Sequence, residues 1–183
     1  ELQDIFEHQK AHGLSRERSD ARKYPAIHPL DSWSKYKSVI RSDWVEYGRN
    51  YLRRGTDVES MMKVVGEEGT SLDDYIVYLK GNFLDSVYLQ QNSFDKVDAA
   101  AEVERQVYVY KLLLKVLGSN FDLKTKDEAR IYFNQIRQSF IDWNYSVWGS
   151  DEFKKNEAKI EALYAEKNGT LDESAKDLLK DGE

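Results

Sequence analysis

The side chains that could carry out chemistry in this sequence fall into two small groups. His8 and His12 are four residues apart, a spacing that lets two imidazoles share a helix face and bind a metal ion, but no third ligand follows nearby. The second group is the acidic turn, residues 67–74 (EEGTSLDD), which lacks the Asp-x-Asp-x-Asp-Gly order of a calcium loop. Its carboxylates are Glu67, Glu68, Asp73 and Asp74. From spacing alone we interpret both groups as solvated surface and expect no metal site.

Motifs and composition exclude several classes of protein. The sequence contains no GxxxxGK[ST] phosphate-binding loop, no GxGxxG dinucleotide motif and no HExxH metal motif. It has no Cys, so thiolate ligands and disulfides are excluded. A net charge of −6 argues against a nucleic-acid-binding protein, because such proteins neutralise phosphates with Lys and Arg. The sequence also lacks a run of 18 apolar residues, so we expect any membrane association to go through partners.

Most of the chain has the apolar periodicity of amphipathic helices, and sustained β-branched alternation is absent. The pattern predicts an all-α fold, a helical bundle of about five to seven helices with an extended N-terminal connection. We divide it into a polar lead-in and linker (1–33) and a helical domain (34–183) that ends in a helical tail (119–183). The predicted helices span about 35–53, 57–65, 72–90, 101–117, 125–148 and 151–167, with a short last helix capped by Thr170 and Glu173.

Four local features sharpen this prediction. Gly55 is expected to separate the first two helices, and Val65 is expected to face inward with Val58, Met61 and Met62. The aromatic stripe from Tyr36 to Tyr51 is interpreted as core. The mixed-charge stretch SRERSDARK near the N-terminus is interpreted as a solvated helix face. The polar segment 90–99 is predicted to be a loop.

Both prolines of the chain lie in KYPAIHPLDSWSKY, residues 23–36. Proline fixes φ and biases the preceding residue towards an extended conformation, so this stretch is predicted to be a stiff connection that holds Tyr24 still. The residues leave two interpretations of Tyr24 open. Its ring either contacts a ligand or plugs the top of the bundle.

Two stretches together resemble the catalytic subunits of rotary ATPases. KYPAIHPLDSWSKY is similar to the segment that leaves their nucleotide-binding domain, Tyr-Pro-Ala-Val-Asp-Pro-Leu-Asp-Ser in the F-type and Phe-Pro-Ala-Ile-Asn-Trp-Leu in the V/A-type. FLDSVYLQQNSFDKVD, some 65 residues later, resembles the V/A-type motif Phe-Leu-Gln-Gln-Asn-Ala-Phe-x-x-Val-Asp. The resemblance covers roughly residues 13–118. It identifies the chain as a member of the family of C-terminal domains of V/A-type catalytic subunits.

The resemblance implies roles for both ends of the bundle. Tyr24 would lie against the adenine of ATP or ADP, and Phe94 would help to close that pocket, whose loop Gln90, Gln91 and Asn92 would line. The acidic turn with Glu67, Glu68, Asp73 and Asp74 would contact the central rotor stalk. An aromatic ring held by a rigid segment suits stacking, and carboxylates facing a basic shaft suit contacts that are remade at each rotation step.

The resemblance also implies what lies outside this sequence. Mg²⁺, the phosphates and the catalytic carboxylate would be held by an upstream domain, so we expect no ATP hydrolysis by the chain alone. The chain begins with Glu1 instead of Met, which agrees with a longer parent protein. The implied partners are the B subunit and the central stalk subunits of a cytoplasmic motor that is peripheral to the membrane and couples ATP synthesis or hydrolysis to ion transport. The alternative is an independent all-α interaction module with no role in nucleotide binding.

Overall fold

The computed structural model describes residues 15–26, 28, 30, 40–90 and 102–180. These residues form an all-α bundle, as predicted, in which a π-helical turn and a pair of two-residue strands supplement seven α-helices. No helix in the described part of the chain has the length and apolar character needed to cross a bilayer. The elements, in order, are α1 (Arg16–Asp20), α2 (Ser42–Val65), α3 (Leu72–Leu84), the π-helical turn (Asp85–Leu89), α4 (Val103–Leu117), β1 (Ser119–Asn120), α5 (Lys126–Asn144), α6 (Asp151–Glu166), β2 (Thr170–Leu171) and α7 (Glu173–Lys180).

Helices α2 and α3 pack against each other as a long hairpin, the most extensive helix pair in the described structure. The predicted break at Gly55 is wrong, because α2 runs without interruption over 24 residues. Gly55 lies opposite Gly81 of α3, and a Cβ added to Gly55 would stand only 3.4 Å from the Gly81 Cα. The missing side chains let the two backbones approach closely. The glycine therefore serves packing between helices and does not end one.

The core lies where α3, α4 and α5 meet, with α2 and α6 covering it. Phe83 of α3 packs edge-to-face against Phe140 of α5, with the ring centroids 5.0 Å apart. The aromatic stripe of α2 contributes as predicted, since Trp44 and Tyr51 are buried. Tyr36 of that stripe lies outside the described residues.

Side-chain oxygens cap most of the helices. Ser71 caps α3, accepting a hydrogen bond from the Asp74 amide, and Thr125 and Ser150 cap α5 and α6 in the same way. The cap predicted at Thr170 is wrong, because Asp172 accepts from the Ala175 amide at 2.7 Å and caps α7 instead. Thr170 belongs to β2, which pairs antiparallel with β1.

Buried polar contacts attach β1 and the start of α7 to the α2–α3 hairpin. The ammonium of Lys80, a residue only 5% exposed, donates to the Ser119 carbonyl at 2.7 Å and lies 5.3 Å from the centre of the Tyr51 ring. Burial lowers the pKa of Lys80 from 10.5 to about 8. Tyr47 of α2 donates to Asp172 at 3.2 Å, so β1 and the start of α7 are both tied to the hairpin.

Candidate functional site

Residues 15–26 form a compact loop that contains Tyr24. The Ser15 amide donates to the Ala26 carbonyl at 2.8 Å, which joins the two ends, and the Lys23 amide donates to the Arg18 carbonyl at 2.8 Å. Ser15 also caps α1, accepting a hydrogen bond from the Arg18 amide. The loop therefore presents Tyr24 on a backbone that is hydrogen-bonded on both sides.

A single carboxylate, Asp85 at the start of the π-helical turn, fastens this loop to the bundle. Asp85 Oδ1 accepts from the guanidinium of Arg18, and Asp85 Oδ2 accepts from Lys23 Nζ at 2.9 Å. The Arg18 and Asp85 side chains are only 11% and 10% exposed. The interpretation of SRERSDARK as wholly solvated is therefore wrong for Arg18. Burial of this pair has a physical consequence, because removing one partner would leave a buried charge uncompensated.

The same carboxylate holds the first residue of the predicted nucleotide loop. Gln90 Nε2 donates to Asp85 Oδ2 at 3.3 Å, and the Gln90 amide donates to the Asp85 carbonyl at 3.0 Å. Arg18, Lys23, Asp85 and Gln90 thus form one connected group, which we call the Asp85 cluster. Lys23, the neighbour of Tyr24, and the predicted site residue Gln90 both donate to the same atom, Asp85 Oδ2.

Tyr24 itself projects from the loop with 58% of its surface exposed. This exposure is inconsistent with the alternative in which its ring plugs the bundle. Its neighbours are both held, Lys23 by Asp85 and the Pro25 carbonyl by Arg18 Nε at 3.5 Å. Phe94, Gln91 and Asn92, the other residues predicted for this pocket, lie outside the described residues.

A polar cleft of about 520 Å³ separates the loop from the α2–α3 hairpin. Its walls carry charges of both signs, including Glu17 and Lys23 from the loop and Glu59 and Lys63 from α2, and its floor includes the Gly55–Gly81 contact. No cluster of side chains suited to hold a metal ion occurs among the described residues.

At the other end of the hairpin, the acidic turn connects α2 to α3. Gly66 ends α2 with φ near 78°, a left-handed conformation that suits glycine. The buried Thr70 donates through its hydroxyl to the Gly66 carbonyl at 3.1 Å and closes the turn. At the start of α3 the Ser71 hydroxyl donates a hydrogen bond to the Asp74 carboxylate at 2.7 Å.

The four carboxylates of the turn are not equivalent. Glu67 accepts from the guanidinium of Arg130 on α5, while Lys126 donates to the Glu67 carbonyl. Arg130 also donates to the Tyr75 hydroxyl at 3.0 Å, a hydrogen bond that raises the pKa of Arg130. Among the predicted rotor-contact residues, Glu67, Glu68 and Asp73 are exposed and Asp74 is half-buried. Glu67 and Asp74 have side-chain partners within the domain.

Exposed apolar side chains accompany these carboxylates. Val64 and Val65, in the last turn of α2, are 85% and 52% exposed, and Met61 one turn earlier is 39% exposed. Of the four residues predicted to face inward, Val58 is buried and Met62 is half-buried. The prediction is wrong for Met61 and Val65, because the last turns of α2 carry these side chains to the surface. The end of the hairpin combines a small apolar surface with free carboxylates.

Sequence reasoning missed the groups that hold these sites in place. Asp85 carried a weak signal, an acidic residue between the apolar pairs of FLDSVYL. No sequence signal pointed to Arg130 and Lys126, because they lie about sixty residues from the turn that they bind.

Comparison with known proteins places these observations in a family. Residues 34–132 match the family model described as the C-terminal domain of V and A type ATP synthase. The chain is 66% identical over 169 residues to the V-type ATP synthase alpha chain of Treponema denticola and 55% identical to alpha chain 1 of Treponema pallidum. Both alignments cover 92% of this chain. The alpha chain of Borrelia duttonii is 52% identical over 85% of it. The chain spans only 29% of the two Treponema proteins and 27% of the Borrelia one. It belongs to the family of C-terminal domains of V- and A-type ATP synthases.

Proposed function

We propose that this chain is the C-terminal helical domain of the ATP-binding alpha chain of a V-type ATP synthase. The observation that carries the proposal is the 66% identity, over 92% of this chain, to a protein named V-type ATP synthase alpha chain. In that role the domain takes part in ATP synthesis or hydrolysis coupled to ion transport. Its partners are the B subunit and the central stalk subunits, and it reaches the membrane only through the assembled complex, on the cytoplasmic side.

At one end of the bundle the domain closes the adenine pocket for ATP or ADP. Tyr24 stacks on the base, Phe94 forms a second wall, and Gln90, Gln91 and Asn92 line the loop between them. The exposed ring of Tyr24 and the attachment of Lys23 and Gln90 to Asp85 support this arrangement. The phosphates and Mg²⁺ belong to an upstream domain, because the sequence lacks a phosphate-binding loop.

At the other end the acidic turn contacts the rotor. Glu68 and Asp73 offer exposed charge, Val64 and Val65 offer an apolar surface beside it, and Glu67 and Asp74 shape the turn through their partners inside the domain. Charges in such a contact act over a Debye length and are screened by salt. The contact is therefore expected to weaken as ionic strength rises.

Nucleotide titration of the full-length subunit tests the adenine assignment. Tyr24→Ala should weaken ADP binding by about 1–3 kcal/mol, the range for stacking of a base on an aromatic ring, while Tyr24→Phe should leave it nearly unchanged. Phe94→Ala should act in the same direction, and the double variant should lose less than the sum of the two, because both rings would wall one pocket. Unchanged affinity together with a large loss of thermal stability would remove the adenine assignment.

The gene that encodes the chain provides a second test. The sequence upstream of Glu1 should encode a GxxxxGK[ST] motif within a few hundred residues, since the curated relatives are more than three times as long as this chain. A start codon directly before Glu1 would instead favour an independent interaction module.

A further inference from the structure

Helix α3 joins the two ends of the bundle directly. It is capped by Ser71, within the acidic turn (67–74). Its thirteen residues lead without a break into the π-helical turn that starts at Asp85. At 1.5 Å per residue the helix is about 20 Å long. One continuous element therefore connects the acidic turn to Asp85.

Asp85 joins this element to the loop that carries Tyr24. Its two carboxylate oxygens bind Arg18 and Lys23, which belong to the loop, while Oδ2 also binds Gln90. Arg18 and Lys23 flank Tyr24, the first through the Pro25 carbonyl and the second as its direct neighbour.

A carboxylate is needed at this point for a physical reason. Two cations converge on one side chain that is 10% exposed, and only a negative charge with two acceptor oxygens can bind both there. Asparagine would keep the volume and one acceptor but would leave the buried guanidinium of Arg18 without a counter-charge. Glutamate would keep the charge at a longer reach.

We infer that Asp85 is a positioning residue for nucleotide binding, which orients Tyr24 by holding its loop at the end of α3. The inference depends on the proposed adenine site, since it assigns Asp85 no contact with nucleotide and lets it act through Tyr24. In this arrangement Asp85 is the point at which the helix that leads from the acidic turn meets the pocket.

A double-mutant cycle in the full-length subunit tests the inference. ADP affinity is measured by equilibrium titration for Asp85→Asn, Asp85→Glu, Tyr24→Ala and Asp85→Asn combined with Tyr24→Ala. The matched control is Asp20→Asn, which removes a carboxylate from the same loop, where the Asp20 side chain is 72% exposed and pairs with Arg16. Hydrogen exchange of residues 15–26 reports on the attachment of the loop, and exchange of α5 reports on the fold.

We expect Asp85→Asn to weaken ADP binding about tenfold and to speed exchange in 15–26 while α5 stays protected. Asp85→Glu should recover most of the affinity, and Asp20→Asn should change neither readout. In the Tyr24→Ala background Asp85→Asn should change ADP affinity by less than about twofold, because the ring that it positions is absent.

Other outcomes would overturn the inference. An equal loss from Asp85→Asn in both backgrounds would show that Asp85 does not act through Tyr24. If Tyr24→Ala weakened ADP binding and Asp85→Asn did not, Asp85 would have no positioning role, but the adenine site would still be supported. If Tyr24→Ala itself had no effect, the adenine site would fail, and the positioning role with it.

Discussion

Lys80 provides a quantitative test of how β1 is held on the α2–α3 hairpin. The substitution Lys80→Met keeps most of the volume but removes the buried ammonium and its hydrogen bond to the Ser119 carbonyl. Because burial lowers the pKa of Lys80 to about 8, the lysine should leave a measurable mark on the pH dependence of stability.

The direction and size of that mark follow from proton linkage. The unfolded chain keeps the Lys80 proton up to about pH 10.5, whereas the folded protein releases it near pH 8. Between these values the unfolded state binds more protons, so the free energy of unfolding rises with pH. The difference between the two pKa values corresponds to about 3 kcal/mol over the whole interval, of which about 1 kcal/mol is gained between pH 8 and pH 9.

Urea unfolding followed by far-ultraviolet circular dichroism measures this rise. The parent chain should gain about 1 kcal/mol from pH 8 to pH 9, and Lys80→Met should gain none. The matched control is Lys63→Met, whose side chain is 72% exposed, and it should rise like the parent. Tyrosines whose pKa is raised in the folded protein, such as Tyr88 and Tyr108 at about 12, oppose the rise mainly above pH 9, where unfolded tyrosines begin to ionise. An equal rise in the parent and in Lys80→Met would refute the reasoning.

The isolated chain should release no phosphate from Mg-ATP, because it lacks a phosphate-binding loop, and turnover in a phosphate-release assay would contradict its assignment as a C-terminal domain. Neutralising all four carboxylates of the acidic turn should cost no more than about 1 kcal/mol in urea unfolding, mostly from loss of the exposed Glu67–Arg130 pair. Unfolding of that variant would show that the turn is structural. Gly55→Leu should lower stability by about 2 kcal/mol, because the new side chain meets the Gly81 backbone, whereas Asp57→Leu at an exposed neighbouring position should not. Equal losses in these two variants would contradict the close contact of α2 with α3.

Properties that depend on neighbouring residues could be predicted from the sequence. Helical periodicity identified the all-α fold. The aromatic stripe of α2 indicated core correctly at Trp44 and Tyr51. Each of these features is decided within about one or two turns of chain.

Properties that depend on distant partners could not be predicted. Gly55 has the same local propensity whether it ends a helix or faces another backbone, and only Gly81, on a different helix, decides between these roles. Arg18 is indistinguishable in sequence from its solvated neighbours, although Asp85 lies 67 residues away and buries it. For the same reason the acidic turn gave no sign that Arg130 holds Glu67.

The indole of Trp44 donates to the Leu178 carbonyl at 3.0 Å, across 134 residues of chain. Loop closure over that separation costs about 4 kcal/mol of entropy, so contacts within the hairpin and within the α5–α6 pair should form earlier. During synthesis the buried Trp44 therefore cannot reach its final environment until residue 178 has left the ribosome. A nascent chain that stalls before this point would lack the acceptor of the Trp44 indole, which makes this tryptophan a reporter of the docking of α7 onto α2.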